Sequence, residues 1–307
     1  MIKLFTHNDL DGVGCAILAR MAFGEYDVDI EYCDYGQIDS RVEDYFNSGL
    51  DYECHITDIS INDELVNKIN DSKKKYQLLD HHATALNLNK FSWCKVQVED
   101  EFTGFKTSGT EMYYRWLIEN NYLQNKSLGT ASALYDFVEL VRDYDTWRWA
   151  TLGEDGIICK QVNDLLYLYG RNRFIDWCEF RFAFGDFPKL QYTDRLVLEI
   201  KQREIDDYVK AKDKQLIVNN LCGRTCGFVF AEKYFSELGN RLCQMHPEID
   251  FIAMIDMKGS VSYRTVKEDI DLGKDVAQVF GGGGHQKAAG SRFSKEVQMK
   301  IIKEIFE

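Results

Sequence analysis

Short apolar runs alternate with helical patterns through the first half of the chain. Ile2-Lys3-Leu4-Phe5 reads as a strand and Cys15 to Met21 as a helix. Val28 to Cys33 alternates as a second strand, Tyr52 to Ile59 as a third, and Tyr76 to Leu79 as a fourth, with a helical pattern over Glu64 to Ile69 between the last two. Strands interleaved with helices predict βαβ units and a mainly parallel sheet. Ser108 to Asn120 and Ala131 to Val141 carry helix-period apolar faces, and the aromatic-rich stretch from Leu165 to Phe187 reads as further packed helix.

A charged helical pattern then runs from Asp194 to about Leu216, roughly 30 Å at 1.5 Å per residue. Beyond it, Gly227 to Ala231 reads as a strand and Ser236 to Met245 as a helix. Phe251 to Met257 and Ser260 to Val266 form a hairpin around Lys258-Gly259, Asp275 to Phe280 a short helix, and Lys295 to Phe306 the last one. The expected architecture is α/β: a mainly parallel-sheet domain over 1–188, a linker helix over 189–218, and a smaller α/β domain over 219–307, with the active-site cleft between them. Phe187-Pro188 is the preferred edge of the first domain.

Composition narrows the function classes. A chain of 307 residues with 45% hydrophobic and 28% charged positions has ordinary values for a soluble protein. No apolar run reaches membrane-spanning length and no signal-peptide order opens the chain, so we expect a cytoplasmic protein away from membranes. Nine scattered cysteines, with Cys222 and Cys226 as a lone CxxxC, point to reduced thiols rather than a zinc site. A net charge of −13 argues against duplex DNA as partner, but leaves room for a short nucleotide beside a metal.

The candidate chemistry gathers at predicted element ends. His7, Asp9 and Asp11 fall at i, i+2 and i+4 after the first strand, so extended backbone would project all three from one side. Asp58 ends the third strand, Asp80-His81-His82 follow the fourth, and Asp143 and Asp145 end a predicted helix. Mixed imidazole and carboxylate ligands suit Mn²⁺ better than Ca²⁺. Six of them, His7, Asp9, Asp11, Asp58, His81 and Asp143 or Asp145, fit two ions sharing a carboxylate, roughly 3.5–4 Å apart, which activate a bridging hydroxide for attack at phosphorus. In the second domain, Gly281 to Gly284 before His285 suggest backbone amides and an imidazole facing an anion, and Arg264 offers a planar fork for phosphate. His55 and His246 are read as structural.

The order His7-x-Asp9-x-Asp11-Gly12, Asp58, Asp80-His81-His82, Arg142-Asp143-Tyr144-Asp145, then Ser262-Tyr263-Arg264 and Gly282-Gly283-Gly284-His285 resembles the DHH phosphoesterase superfamily with its associated C-terminal domain, over essentially the whole chain. The resemblance implies one Mn²⁺ on His7, Asp9 and Asp58. It implies a second on Asp11, Asp58, His81 and the acid near 143, with Asp58 bridging. Asp143 is favoured over Asp145 because it lies at a predicted helix end. Asp80 would orient a histidine, His82 would face the scissile phosphate, and Arg264, Gly282, Gly283, Gly284 and His285 would bind substrate. RecJ-like exonucleases usually carry additional domains, and family II pyrophosphatases lack the glycine motif. The resemblance therefore favours an oligoribonuclease cleaving nanoRNA or dinucleotides to mononucleotides. A cyclic-dinucleotide or 3′-phosphoadenosine 5′-phosphate hydrolase and a non-catalytic nucleotide sensor stand as alternatives, and a homodimer is compatible with the sequence.

Overall fold

In the computed structural model, which describes residues 1–72 and 74–306, the chain divides into two units, Met1–Leu198 and Glu199–Glu307. The first begins with β1 (Ile2–Thr6), α1 (Leu10–Phe23), β2 (Val28–Tyr32), α2 (Ile38–Asn47), β3 (Glu53–Thr57), α3 (Asp63–Asn70), β4 (Tyr76–Asp80) and β5 (Cys94–Val96). The helices α4 (Gly109–Glu119), α5 (Leu128–Asp145), α6 (Glu154–Tyr169) and α7 (Arg171–Phe184) follow. The strands pair in the order β2-β1-β3-β4-β5, all parallel. Strand alternation feeds two cores. Leu4 and Leu79 face the layer built with α1, α4, α5, α6 and α7, whereas Phe5, Ile56 and Leu78 face the layer with α2 and α3. Every β1, β3 and β4 carboxyl end therefore lies along one edge, where a parallel sheet places its ligands.

The first helix starts five residues before the expected Cys15. Asp9 caps it, accepting from the Gly12 amide at 3.1 Å, and Asp11 already lies in its first turn. The extended His7-Asp9-Asp11 arrangement is thereby corrected: the strand ends at Thr6, and the acids reach the sheet edge from a helix start. Gly12 makes this possible, because a Cβ there would stand 2.0 Å from the His7 carbonyl oxygen. The helix α2 and the short strand β5 escaped the sequence reading; α2 begins without a side-chain cap, and β5 is only three residues long.

The boundary between units falls inside α8 (Tyr192–Asp213), whose Val197 and Leu198 pack on the first unit's core while Ile205 and Val209 are buried in the second's. The second unit adds β6 (Ile217–Leu221), β7 (Arg224–Phe230), α9 (Phe235–Met245), β8 (Phe251–Asp256), β9 (Ser260–Arg264), β10 (Gly283–Gly284), β11 (Ala288–Arg292) and α10 (Lys295–Phe306). Its sheet runs β10-β11-β9-β8-β7-β6, parallel only between β7 and β8, which α9 connects. β6 was not anticipated: most of its side chains are exposed, so it lacks a buried-face signal. The glycine run proves to be a tiny hairpin rather than an open loop.

Candidate metal centre and its surroundings

Four chain segments bring acids and imidazoles together at the carboxyl edge of the parallel sheet, three from strand ends and one from the end of α5. Asp58 follows β3 with a left-handed backbone, φ +58°, and is fully buried. Gly109, at the start of α4, lies against it, and a Cβ there would sit 2.4 Å from the Asp58 Cβ. The same helix start holds Asp11: the amides of Gly109 and Thr110 donate to its carboxylate at 2.6 and 2.8 Å. These are first-turn N–H groups without intrahelical partners, so the α4 terminus satisfies a buried carboxylate that would otherwise be costly. Ser108 caps α4 by accepting from the Glu111 amide, a local signal visible in the sequence as Ser-x-x-Glu.

Two sets of potential ligands meet at Asp58. His7 Nδ1 lies 2.8 Å from Asp9 Oδ2 and 3.9 Å from Asp58 Oδ2. His81 Nε2 lies 3.2 Å from Asp58 Oδ1, 3.6 Å from Asp11 Oδ2 and 3.7 Å from Asp145 Oδ2. Within each of the groups His7-Asp9-Asp58 and Asp11-His81-Asp145, one atom per residue falls within 4.8 Å of the others. Asp145, not the favoured Asp143, joins the second group. The two acids are two residues apart on α5 and so point to different sides. Asp143 is held instead by Arg148 at 2.7 Å and Arg142 at 3.2 Å.

The electrostatics explain what this arrangement lacks. Burial, followed by the charges of Asp11 and Asp9, holds Asp58 protonated well above the ordinary carboxylate range. The same causes push Asp145 up to about 8. A hydrogen bond to Asp9 raises His7; on Asp9 itself, burial is outweighed by that bond and the His7 charge, so its carboxyl is lowered. Asp58 Oδ2 is buried and has no hydrogen-bond partner among the described residues. A buried carboxylate oxygen without a donor is expensive, and two imidazoles with four carboxylates form the donor set of a first-row divalent ion. The residues fit divalent cations.

Asp80 falls with Asp58, His81 and His82 in a third such group, but both of its oxygens are engaged in hydrogen bonds. Its Oδ1 accepts from the His81 amide at 2.8 Å, the His82 amide at 3.3 Å and His82 Nδ1 at 2.7 Å, while Oδ2 accepts from Ser60 Oγ at 2.5 Å. It fixes the ring of His82, whose Nε2 meets the Tyr35 hydroxyl at 2.9 Å. The bond to Asp80 raises His82, and burial of Asp80 is outweighed by His82 and Ser60, which lower it. Ser60 sits two positions after Asp58 and could have been suspected; Tyr35, on the loop after β2, gave no pattern to find it by. His55 is buried and bonds the Tyr113 hydroxyl through Nδ1 at 2.7 Å.

In the second unit Arg264 donates to the Tyr263 carbonyl at 2.8 Å and to Ser236 Oγ at 3.2 Å, its stem lying where a Gly239 Cβ would stand. The Gly282 amide bonds the Ala277 carbonyl, closing the turn before the hairpin, and the His285 amide bonds that of Ala288 within it, so neither N–H faces an anion. A Cβ on Gly282 or Gly284 would strike backbone at 2.1 and 2.6 Å, whereas Gly283 has open space. The imidazole of His285 is exposed.

No family model matches the chain. Over its whole length it is 36% identical to the oligoribonuclease NrnB of Bacillus subtilis, covering 76% of that protein. The chain belongs to the DHH phosphoesterase superfamily. A 3′,5′-cyclic-nucleotide phosphodiesterase of Helicobacter pylori is 23% identical over 98% of the chain and 96% of its own length. The fold resembles exonuclease RecJ bound to manganese, with a TM-score of 0.58 at 13% identity over 99% of this chain and 88% of that one. As a DHH protein it is a metal-dependent phosphoesterase, with the clusters around Asp58 as candidate sites for divalent ions. No helix among the described residues is long and apolar enough to cross a membrane.

Proposed function

We propose that the chain is a Mn²⁺-dependent phosphodiesterase that cleaves very short RNAs, dinucleotides included, to mononucleotides. The observation that carries this reading is the buried, partnerless Oδ2 of Asp58, a residue that belongs to the His7–Asp9 group while its Oδ1 meets His81 of the other. One ion would be held by His7, Asp9 and Asp58, the other by Asp11, Asp58, His81 and Asp145, with Asp58 shared. Bound there, divalent ions supply Lewis-acid activation of water and neutralise charge developing on the phosphate.

The remaining work falls to side chains. With Nδ1 donating to Asp80, His82 is fixed in orientation, and a substrate oxygen can replace the Tyr35 hydroxyl at Nε2. Arg264, His285 and the open backbone at Gly283 would bind substrate phosphates, with Gly282 and Gly284 keeping the hairpin tight enough to present them. Similarity to an oligoribonuclease over the whole of this chain and 76% of that protein supports short RNA as substrate, as does a net charge of −13, which disfavours long polyanions.

The Helicobacter relative favours a second reading, hydrolysis of a cyclic nucleotide. A panel of dinucleotides, longer RNAs, cyclic nucleotides, cyclic dinucleotides and 3′-phosphoadenosine 5′-phosphate, assayed with Mn²⁺, separates them. Fastest turnover is expected on linear dinucleotides and is expected to vanish in His81→Ala. Turnover confined to cyclic substrates would replace the first reading with the second, and tight binding without product would reduce the protein to a sensor.

A further inference from the structure

A cavity of about 230 Å³ opens beside the Asp80–His82 pair, walled by Tyr35, Ile61, Asn62, Asn87 and Leu88. Its size lies below the roughly 300–1,000 Å³ of sites that enclose a whole small molecule, so it suits a single ring system. Its chemistry is that of a flat, partly polar guest. Ile61 and Leu88 give an apolar lining and Tyr35 an aromatic edge. Asn62 uses its side-chain oxygen to cap α3 through the Leu65 amide, which leaves its NH₂ as a donor without a partner among the described residues. Asn87 has the opposite balance: its NH₂ bonds both Asp63 oxygens at 2.9 and 2.8 Å, and its carbonyl oxygen has no partner among the described residues. One amide donor and one carbonyl acceptor beside an apolar wall match the mixed hydrogen-bonding edge of a nucleobase.

Tyr35 joins this cavity to the reacting end of the site. Its hydroxyl is 2.9 Å from His82 Nε2, its ring lies 5.1 Å from that of His7, and its loop is tied to the first motif by Asn8 Nδ2 donating to Asp34 at 2.5 Å. We propose that this cavity receives one nucleobase of the substrate, with Tyr35 as the wall between the base and His82. The inference rests on the phosphodiesterase reading and extends it, since it makes the substrate's base, and not only its phosphate, a determinant of turnover.

Binding of adenosine 5′-monophosphate, uridine 5′-monophosphate and ribose 5-phosphate to chelator-treated protein, by calorimetry, tests the cavity without chemistry. At least one nucleotide is expected to bind tenfold or more tighter than the sugar phosphate; equal affinities for all three would overturn the proposal. Thr84 is exposed at the same cavity, and Thr84→Trp places an indole there. In that variant the ratio of kcat/KM for a dinucleotide to that for bis(p-nitrophenyl) phosphate is expected to fall at least tenfold, and the nucleotide's binding advantage to disappear. An unmoved ratio would overturn the proposal, and Asn87→Leu gives the same comparison should the tryptophan variant not fold. Failure of the phosphodiesterase reading is recognised separately, by wild-type protein that turns over neither diester with Mn²⁺.

Discussion

Metal-free protein should lose stability as the pH rises through neutrality, and divalent metal should reverse that trend. Asp58 and Asp145 both have raised carboxyl groups, through burial and then the charges of Asp11 and Asp9, and Asp145 reaches about 8. In the unfolded chain each ionises near pH 4. Between those limits the folded protein keeps protons that the unfolded chain has released, so raising the pH favours unfolding. His7 and His82 act in the same direction. Their folded values are raised by Asp9 and Asp80, so the stability they contribute is complete below about pH 6.5 and is lost as the pH climbs through the folded values. Asp9 and Asp80 are lowered, and their contribution is lost only in acid, below the unfolded carboxylate value of about 4. One group in full transit changes stability by about 1.4 kcal/mol per pH unit, so it accounts for about 2 kcal/mol between pH 6.0 and 7.5. Metal binding requires deprotonated ligands, so saturating Mn²⁺ should make stability rise over the same interval. Asp58→Asn keeps the shape, tolerates the left-handed backbone and removes one acid from the cluster. In chelator it should be more stable than wild type at pH 7.5, with a shallower pH slope, and gain little from Mn²⁺. Urea unfolding at both pH values, with chelator and with Mn²⁺, measures all of this. A flat or rising profile for the metal-free wild type, or an Asp58→Asn variant that is less stable at pH 7.5, would refute the reasoning.

Three other outcomes are expected. Asp80→Asn should leave the fold intact yet lower kcat by about 10–100-fold, because His82 loses the acceptor that fixes its ring; steady-state kinetics and circular dichroism check it. Gly109→Ala should cost about 1–3 kcal/mol and weaken Mn²⁺ binding, since its methyl carbon needs the space of the Asp58 Cβ 2.4 Å away; thermal unfolding and a metal titration read both effects. His246, at the end of α9, is raised by Asp213 at 2.6 Å and by Glu248, so its contribution is present below about pH 6.5 and lost above its folded value. His246→Gln should therefore destabilise by less than about 1 kcal/mol at pH 5.5, the pair being partly solvated, with the difference from wild type shrinking toward pH 8.5.

Much of the site was legible because its residue types have little structural use at strand ends. Asp80-His81-His82 after a buried strand, and a histidine with two acids after another, mark candidate ligands wherever the backbone runs, and His7, Asp9, Asp11 and His81 do fall into the clusters around Asp58. What stayed hidden was geometry that depends on distant packing. The start of α1 at Leu10 follows from Gly12 fitting under His7, and the pattern of apolar residues alone placed the helix later. The choice between Asp143 and Asp145 turns on helix rotation and on Arg148, contributed from beyond the helix, neither of which the motif encodes. The glycines of the second unit suggested freedom to meet an anion, yet two of them are needed because backbone passes within 2.1 and 2.6 Å of where a side chain would be. Tyr35 is one aromatic among 17 tyrosines, and only the folded loop brings it to His82.

The claim that two cations share Asp58 is tested most directly by counting Mn²⁺ ions bound per chain, by electron paramagnetic resonance titration, in wild type, Asp143→Asn and Asp145→Asn. Two tight ions are expected in wild type and in Asp143→Asn, with one lost or greatly weakened in Asp145→Asn. A single ion in wild type, or a loss that follows Asp143 instead of Asp145, would contradict it.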